Sequence, residues 1–522
     1  MTRPAAIRIL VAAAVTGLFA QALLFDSLLG INVPVLTIGL MAVACALRTH
    51  ERPIDRADWW LPPATIILSL AIAVRADPAL LLLDLLAICA LLGASVAAIG
   101  GAAVTRRSSV RIVELGFVVL GWLATGVLRA AVAASRSDAG ADSVAATRRL
   151  PPWAGPVARG LLIAIPVLVV FAGLFSAADV AFDRLMTQLF RWDVDLGTLP
   201  LRLGLALFIA WGVGGLLAVA AGAIVDRDPV AARTTDRAAR SLGAAAAGLP
   251  NPSVRDGEPF AIIRLGSIEA VTILVAVDVL FAVFVLLQLR YLFGGQDSLE
   301  VTGLPYAQYA RSGFFELVWV AFLAGGLLAL VHAVVARRSV ALIGAGIGLA
   351  VLTAAVLVSA LIRLRIYQDA YGWTELRFYV LASIVWLGIG IAITIALLVR
   401  DQMGSLLHGL AIAAIVVLIG INAVGPSRVI AEENVARVLN PALVPPDGQT
   451  GLDVRYAALL GDDAVPALIR ALPALDEPDR LQLRGWLEER RRALDAATSQ
   501  SWRAWNLGRE QARAALAALV DR

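Results

Sequence analysis

Apolar runs of 18 to 25 residues recur along most of this 522-residue chain. An α-helix of that length crosses a hydrocarbon core of roughly 30 Å, whereas a strand of a membrane barrel needs only about 10 residues and alternates in polarity. Hydrophobic residues make up 60% of the chain and charged residues 16%, which leaves too little polar surface for a water-soluble protein of this size. The sequence therefore predicts an all-α, polytopic helical membrane protein whose first partner is the lipid bilayer.

Eleven of the apolar runs are predicted to be transmembrane helices, and one further run is doubtful. The predicted spans are 9–25, 31–47, 60–75, 79–103, 157–176, 199–225, 268–290, 313–336, 340–362, 378–399 and 406–424. The doubtful run, 112–134, contains Glu114, Arg129 and three Gly, so we interpret it as a re-entrant or interfacial segment. A crossing helix at 112–134, which brings the total to twelve, is the alternative.

Arginine residues in the short loops predict the orientation of the chain, because such loops are typical of the cytoplasmic side. The loop that contains Arg48, Arg52 and Arg56 and the loop at Arg337 and Arg338 are therefore predicted to be cytoplasmic. Arginine also flanks both ends of 112–134, which is why we do not expect that run to cross. With eleven spans, the N-terminus is predicted to be cytoplasmic and the C-terminal tail extracytoplasmic.

Three regions are predicted along the chain. Residues 1–150 form an N-terminal membrane region of four spans plus the doubtful segment, and residues 151–425 form the main membrane domain of seven spans with a cytoplasmic linker at 226–264. Beyond residue 425 no run is long enough to span, and residues 428–522 hold thirteen Arg and fourteen acidic residues. Residues 426–522 are therefore predicted to be a small, soluble helical domain.

Six short pieces of sequence, each unspecific alone, occur in a characteristic order. They are LFSAAD at 174–179, YLF at 291–293, YAQYAR at 306–311 followed by EL at 316–317, YGWTELR at 371–377, DAVPAL at 463–468 and WNL at 505–507. With these pieces, residues 155–510 resemble an uncharacterised family of bacterial multi-pass membrane proteins, a domain of unknown function of the 4153 or 4173 type. The first 150 residues add nothing to this resemblance. It implies a bacterial inner membrane location and no particular activity.

Several classes of chemistry are excluded or disfavoured by composition. All 44 basic residues are Arg, so Walker A loops, Schiff-base enzymes and Ser-x-x-Lys enzymes, which need a Lys amine, are excluded. Cys45 and Cys89 lie in separate spans and the three His residues are dispersed, so we expect no disulfide and no metal site. Arginine lies at span ends rather than in one stripe, so we expect no nucleic-acid partner. No catalytic residue and no cofactor is predicted.

Asp278 is the candidate intramembrane site, because it lies near the middle of the span 268–290. An acidic residue there costs roughly 2.5–3.5 kcal/mol on insertion scales, so something must offset the cost. The functional hypothesis is a proton or cation site that faces a cavity, and the structural alternative is a neutral or paired Asp that bridges helices. Asp84, in the span 79–103, is predicted to make a hydrogen bond between helices rather than to bind a ligand.

A second candidate site is an extracytoplasmic polar cluster. If the loop at Arg337 and Arg338 is cytoplasmic, alternation places the loops near residues 177–198, 291–312 and 363–377 on the outer face with the tail. The cluster comprises Asp179, Arg311, Glu316, Arg363, Arg365, Asp369, Tyr371, Glu375 and Arg377. Its Arg side chains are predicted to pair with the nearby acids, to hold an anionic ligand such as a phosphate or carboxylate, or to extend to lipid headgroups.

Three functions are compatible with these features. The first is transport of a small molecule or a lipid across the cytoplasmic membrane, which is favoured by the number of spans and by Asp278. The second is a membrane sensor or assembly scaffold that binds a protein partner through its C-terminal helical tail. The third is a membrane enzyme acting on a lipid-linked envelope substrate, with outward acids and Arg residues as its reactive groups.

Overall fold

The computed structural model describes residues 2–48, 54–105, 109–135, 199–221, 267–293, 314–335, 339–446, 448–498 and 502–520. Sixteen α-helices and no β-strand occur in these residues. In the apolar part of the chain the helices are α1 (Arg3–Leu24), α2 (Asn32–Ala46), α3 (Leu61–Val74), α4 (Pro78–Ile99), α5 (Ser109–Ser135), α6 (Leu199–Ala220), α7 (Ser267–Phe293), α8 (Phe314–Val334), α9 (Val340–Tyr371), α10 (Glu375–Val399) and α11 (Leu406–Val424). In the C-terminal part they are α12 (Pro426–Leu439), α13 (Val454–Ala457), α14 (Val465–Ala471), α15 (Glu477–Thr498) and α16 (Leu507–Val520).

The helices match the apolar runs of the sequence. Among the described residues, nine helices are long and apolar enough to cross a membrane, and α2 and the Leu317–His332 part of α8 are shorter apolar helices. Ten of the eleven predicted spans coincide with these helices. The remaining span, 157–176, and the linker 226–264 lie outside the described residues. The prediction of an all-helical, multi-pass membrane protein is thereby confirmed.

The doubtful run 112–134 forms one continuous helix, α5. Its Leu115–Ser135 part is one of the nine helices that are long and apolar enough to cross. The end of α5 lies beside the start of α1, where Arg3 Nε donates to the Ala134 carbonyl at 3.2 Å. Four residues before α5 begins, the Thr105 backbone N–H donates to Asp58, which precedes α3, at 2.8 Å.

The described structure divides into two compact units. Unit one comprises Met1–Ala73, Ala87–Arg240 and Ser501–Trp505, and unit two comprises Val74–Leu86, Ser241–Gln500 and Asn506–Arg522. The two units are sets of helices that contact one another. The predicted regions 1–150, 151–425 and 426–522 differ from them, because these regions are defined by membrane or soluble character. The three regions stay a prediction.

In unit one, small residues let α1, α5 and α6 approach one another closely. A Cβ atom on Gly126 of α5 would lie 2.5 Å from the Gly215 Cα of α6, so a side chain at this point would drive the two helices apart. Helices α1 and α6 run antiparallel, since Ala13 lies beside Gly214 and Gly17 lies beside Ala206. The end of α6 is therefore at the Arg3 end of α1.

In unit two, α7 to α10 pack around buried aliphatic residues such as Leu328, Leu349 and Leu364. The described residues of 426–498 and 506–520, which we call the tail, have a core of their own. Leu468, Leu483, Leu487 and Leu516 are buried in that core, and Phe378 of α10 joins it. The tail is thus packed on the membrane helices of unit two through an apolar contact.

Candidate functional site

The tail contacts three places where the membrane helices of unit two begin or end. They are the turn 75–77 between α3 and α4, the turn 372–374 between α9 and α10, and the junction of α11 with α12 at Gly425. Because one small domain reaches all three, these places lie at one end of the unit. This end carries most of the buried polar side chains of unit two.

Arg75 binds the end of α11. Its Nε donates to the Asn422 carbonyl at 2.6 Å and its Nη2 to the Ala423 carbonyl at 2.5 Å, which satisfies backbone oxygens that the end of a helix leaves free. Gly425, at φ +77°, leaves room for the guanidinium, since a Cβ atom there would lie 2.7 Å from Arg75 Nη1. Burial lowers the pKa of the Arg75 guanidinium, and the carboxylate of Asp463 opposes that shift.

Asp77 caps the start of two helices with one carboxylate. Its Oδ1 accepts from the Leu80 backbone N–H at 3.0 Å, in the first turn of α4. Its Oδ2 accepts from the Ser427 N–H at 3.1 Å and from the Ser427 hydroxyl at 2.7 Å, in the first turn of α12. A carboxylate at a helix start satisfies free N–H groups and interacts favourably with the helix dipole. Asp77 therefore joins α4 to the tail.

Tail residues also bind the backbone of this turn directly. Asp463 accepts from the Ala76 N–H at 3.2 Å and pairs with Arg75 at 3.8 Å, and Asn506 Nδ2 donates to the Arg75 carbonyl at 2.8 Å. Burial raises the pKa of the Asp463 carboxyl group, and the hydrogen bond from Ala76 and the charge of Arg75 oppose that shift. Asp463 and Ala76 lie against the backbone of Gly508. A Cβ atom at Gly508 would overlap Asp463 Oδ1 and lie 3.0 Å from Ala76 Cβ.

Asp84 lies below this turn, inside the second turn of α4. It accepts a hydrogen bond of 2.7 Å from Asn422 Nδ2 of α11, and both side chains are buried. The prediction that Asp84 makes a hydrogen bond between helices is confirmed.

The turn between α9 and α10 is held by a second set of tail side chains. Asn434 accepts from the Trp373 N–H at 2.7 Å and donates to the Trp373 carbonyl at 2.8 Å. Arg437 donates to the carbonyls of Asp369 and Ala370 at the end of α9, as Arg75 does at the end of α11. The Glu375 N–H donates to the Tyr456 hydroxyl at 2.7 Å, and burial raises the pKa of Tyr456 to about 12.

The structure brings together six of the nine residues of the predicted extracytoplasmic cluster. Arg363, Arg365, Asp369, Tyr371, Glu375 and Arg377 lie in the last turns of α9, the turn and the first turn of α10. Asp179 and Arg311 lie outside the described residues, and so does the side chain of Glu316 in α8. The cluster as a ligand site stays a prediction.

The Arg side chains of this cluster make contacts within the turn. Arg377 donates to the Tyr371 carbonyl at 3.0 Å and its guanidinium lies 4.0 Å from the centre of the Tyr367 ring. Arg365 lies 5.4 Å from the Trp373 ring centre, and Arg363 is buried. These contacts stabilise the turn that the tail binds.

Asp278 faces α9 at a glycine. A Cβ atom on Gly348 would lie 3.1 Å from Asp278 Oδ2, so the absence of a side chain at Gly348 leaves room for the carboxyl group. Asp278 Oδ1 is buried and has no hydrogen-bond partner. In the part of the chain that the structure describes, no group of three His, Cys, Asp or Glu side chains could hold a metal ion.

Sequence reasoning missed the residues that bind the tail to the turns. Arg75, Asp77, Asn434, Arg437, Tyr456 and Asn506 were not predicted as site residues. One signal was available for Arg75, the last residue of the predicted span 60–75, because alternation from the cytoplasmic loop at Arg48 and Arg56 puts that end of the span on the outer face, where Arg is disfavoured. A second was Asp77 before Pro78, the pattern of a helix start.

The helices and their composition define an integral, multi-pass membrane protein, and unit two carries a C-terminal helical tail bound to its membrane turns. The chain belongs to the family described as Domain of unknown function (DUF4153), whose model matches residues 64–471. No curated protein and no solved structure matches the chain.

The family model matches the chain from residue 64, whereas the resemblance based on the six short pieces begins at residue 155. It includes residues 64–150, so the expectation that the first 150 residues stand apart from the family is wrong from residue 64 onward. The match thereby covers Arg75, Asp77 and Asp84 as well as their partners Asn422, Ser427 and Asp463.

Proposed function

We propose that the protein transports a small molecule or a lipid across the cytoplasmic membrane, with Asp278 as its ion-coupling residue. The observation that carries the proposal is the Asp278 carboxyl group, which has one buried oxygen without a partner and faces Gly348 between α7 and α9. Intramembrane acids are costly and characteristically mark ion or proton paths. Among the described residues no basic side chain forms an ion pair with Asp278, so its carboxyl group can release and take up a proton as its surroundings open and close.

Removing only the charge of Asp278 tests this proposal. We expect Asp278→Asn to keep its abundance and melting temperature, because the amide retains the shape, and to lose transport driven by a proton gradient. Proteoliposomes with a trapped pH dye are screened against amino acids, sugars, nucleosides and a fluorescent phospholipid. Glu269→Gln, in the first turn of the same helix, is the matched control and should behave as wild type.

Two results contradict the assignment of Asp278. Wild-type proton movement in Asp278→Asn excludes a coupling role. Loss of folded protein in Asp278→Asn shows instead that the residue belongs to a structural pair.

We further propose that the tail is extracytoplasmic in the cytoplasmic membrane and that the N-terminus is cytoplasmic. The Arg-rich loop before α3 favours the cytoplasm, and α3 then leads to the opposite face at Arg75. The tail binds Arg75 and Asp77, so it shares that face whatever the number of later spans.

We also propose eleven spans, and the same contacts support this number. The start of α4 and the end of α9 both contact the tail, so the chain crosses an even number of times between Ile99 and Val340. Five apolar runs lie in that interval, and one of them therefore does not cross. Helix α5 is the best candidate, since its end contacts Arg3 and its start closely follows the contact of Thr105 with Asp58.

A reporter fused after Arg522 tests the side of the tail. Alkaline phosphatase should be active there, because it folds only outside the cytoplasm, and a green fluorescent reporter should be dark. A fusion after Arg400, in the turn between α10 and α11, should give the opposite pair of signals. A bright cytoplasmic reporter at Arg522 overturns the proposed orientation.

A sensor or scaffold role through the tail is the second candidate. It is favoured by the direct bonds from tail side chains to the end of α9 and to Arg75 before α4, through which a partner on the tail would act on the membrane helices. Exposed apolar side chains such as Leu459 and Leu481 offer a surface for such a partner. Cross-linking in intact cells followed by mass spectrometry tests this role. The role requires a second protein that is cross-linked to the tail in an amount equal to that of this protein.

A further inference from the structure

Asp84 is among the most completely buried acids in unit two. Its exposed fraction is 1%, and that of its partner Asn422 is 6%. The Asp84 carboxyl group accepts from Asn422 Nδ2 at 2.7 Å. An ionised carboxylate in such a place is strongly unfavourable unless a cation and further hydrogen bonds offset the loss of water.

The amide of Asn422 has a fixed orientation and an unused acceptor. Its Nδ2 donates to the Leu418 carbonyl at 3.1 Å as well as to Asp84, so both amide hydrogens are engaged. Its Oδ1 is buried and accepts no hydrogen bond. A buried acceptor without a hydrogen bond destabilises the folded state, so a hydrogen-bond donor at this point would be favourable.

The charges around Asp84 favour a neutral carboxyl group. Asp77 and Tyr379 are titratable groups close to Asp84, and neither is a cation. Glu375 acts on Tyr379 and adds a second negative charge nearby. Arg75, the guanidinium of this region, is engaged by Asp463 and by the end of α11.

We propose that Asp84 is a proton-binding site, in which the protonated carboxyl group and the Asn422 amide form a reciprocal pair. The carboxylate takes up one proton from water and becomes a neutral acid. The acid hydroxyl then donates to Asn422 Oδ1, while Asn422 Nδ2 donates to the acid carbonyl. One proton supplies the missing donor and removes the buried charge. The site is independent of Asp278 and of any transport role.

Infrared spectroscopy of the full-length protein in detergent tests this site. The wild-type protein at pH 7 should show the carbonyl band of a protonated carboxyl group, which shifts in D₂O. Asp84→Asn should lose the intensity of one such group per chain and keep its melting temperature, because the amide is also neutral. Asp495→Asn is the matched control and should keep the band, since Asp495 is an exposed acid that pairs with Arg491 in α15.

A second variant keeps the test decisive if Asp84→Asn does not fold. In Asn422→Ala the acid hydroxyl loses its acceptor, so the band should move to higher frequency without losing intensity. Absence of the band in the wild-type protein, or an undiminished band intensity in Asp84→Asn, overturns the proposal. Loss of the band on adding sodium chloride, with choline chloride as the control salt, assigns the site to a metal cation and also overturns it.

Discussion

Arg75→Ala should detach the tail from the turn between α3 and α4 and destabilise the protein by about 3 kcal/mol. The change removes two hydrogen bonds to the end of α11 and leaves Asp463 buried without its cation. The Arg75 side chain is 14% exposed, so water can replace little of what is lost. The measurements are the melting temperature of the purified protein in detergent and the rate at which protease cuts the tail.

Arg428→Ala is the matched control for this prediction. Arg428 also donates to the end of α11, at the Val424 carbonyl, but its guanidinium is exposed. Its removal should change the stability by less than about 1 kcal/mol. Equal losses of stability in Arg75→Ala and Arg428→Ala would show that the buried contacts of Arg75 contribute no more than one exposed hydrogen bond.

Gly508→Ala should destabilise the protein by about 1–3 kcal/mol, the usual range for an overpacked site. A Cβ atom there overlaps Asp463 Oδ1 and presses on Ala76, so either the carboxylate or the turn must shift. A loss of stability would be informative, because Gly508 lies in the helix α16, and within a helix Ala ordinarily gives a more stable protein than Gly. The same melting and proteolysis measurements apply.

Gly485→Ala supplies the comparison for Gly508. Gly485 lies in α15, is exposed and has nothing within 4 Å of the position of an added Cβ atom. The substitution should raise stability by about 0.5–1 kcal/mol. If Gly508→Ala were also stabilising, the close contact of the tail with the turn would be wrong.

The membrane helices could be predicted from the sequence because each depends on one local property, a long apolar run. The tail helix Glu477–Thr498 depends on local signals in the same way, since Pro478 directly follows Asp476 and Glu477 at its start. Asp84 was also interpreted correctly, because an isolated acid in an apolar helix has few ways to be satisfied other than a neighbouring polar side chain.

The contacts of the tail could not be predicted from one sequence, because their partners are far apart in the chain. Asn506 lies 431 residues from Arg75, and no local pattern joins them. The rule that disfavours Arg on the outer face applies to Arg363, Arg365 and Arg377 of the predicted cluster and equally to Arg75, but it does not say what such an Arg binds. The structure shows that Arg75 and Arg437 bind helix ends, a use of Arg that depends on which helices meet.

The double cap at Asp77 has a consequence for the order in which the protein is made. Asp77 is synthesised 350 residues before Ser427. Its Oδ2 atom therefore lacks the Ser427 hydrogen bonds while most of the membrane helices are inserted. Only when α12 and the residues after it have left the ribosome and reached that face of the membrane can the turn be completed. A chain that stops early therefore keeps an open polar turn at its surface, which distinguishes it from a finished molecule.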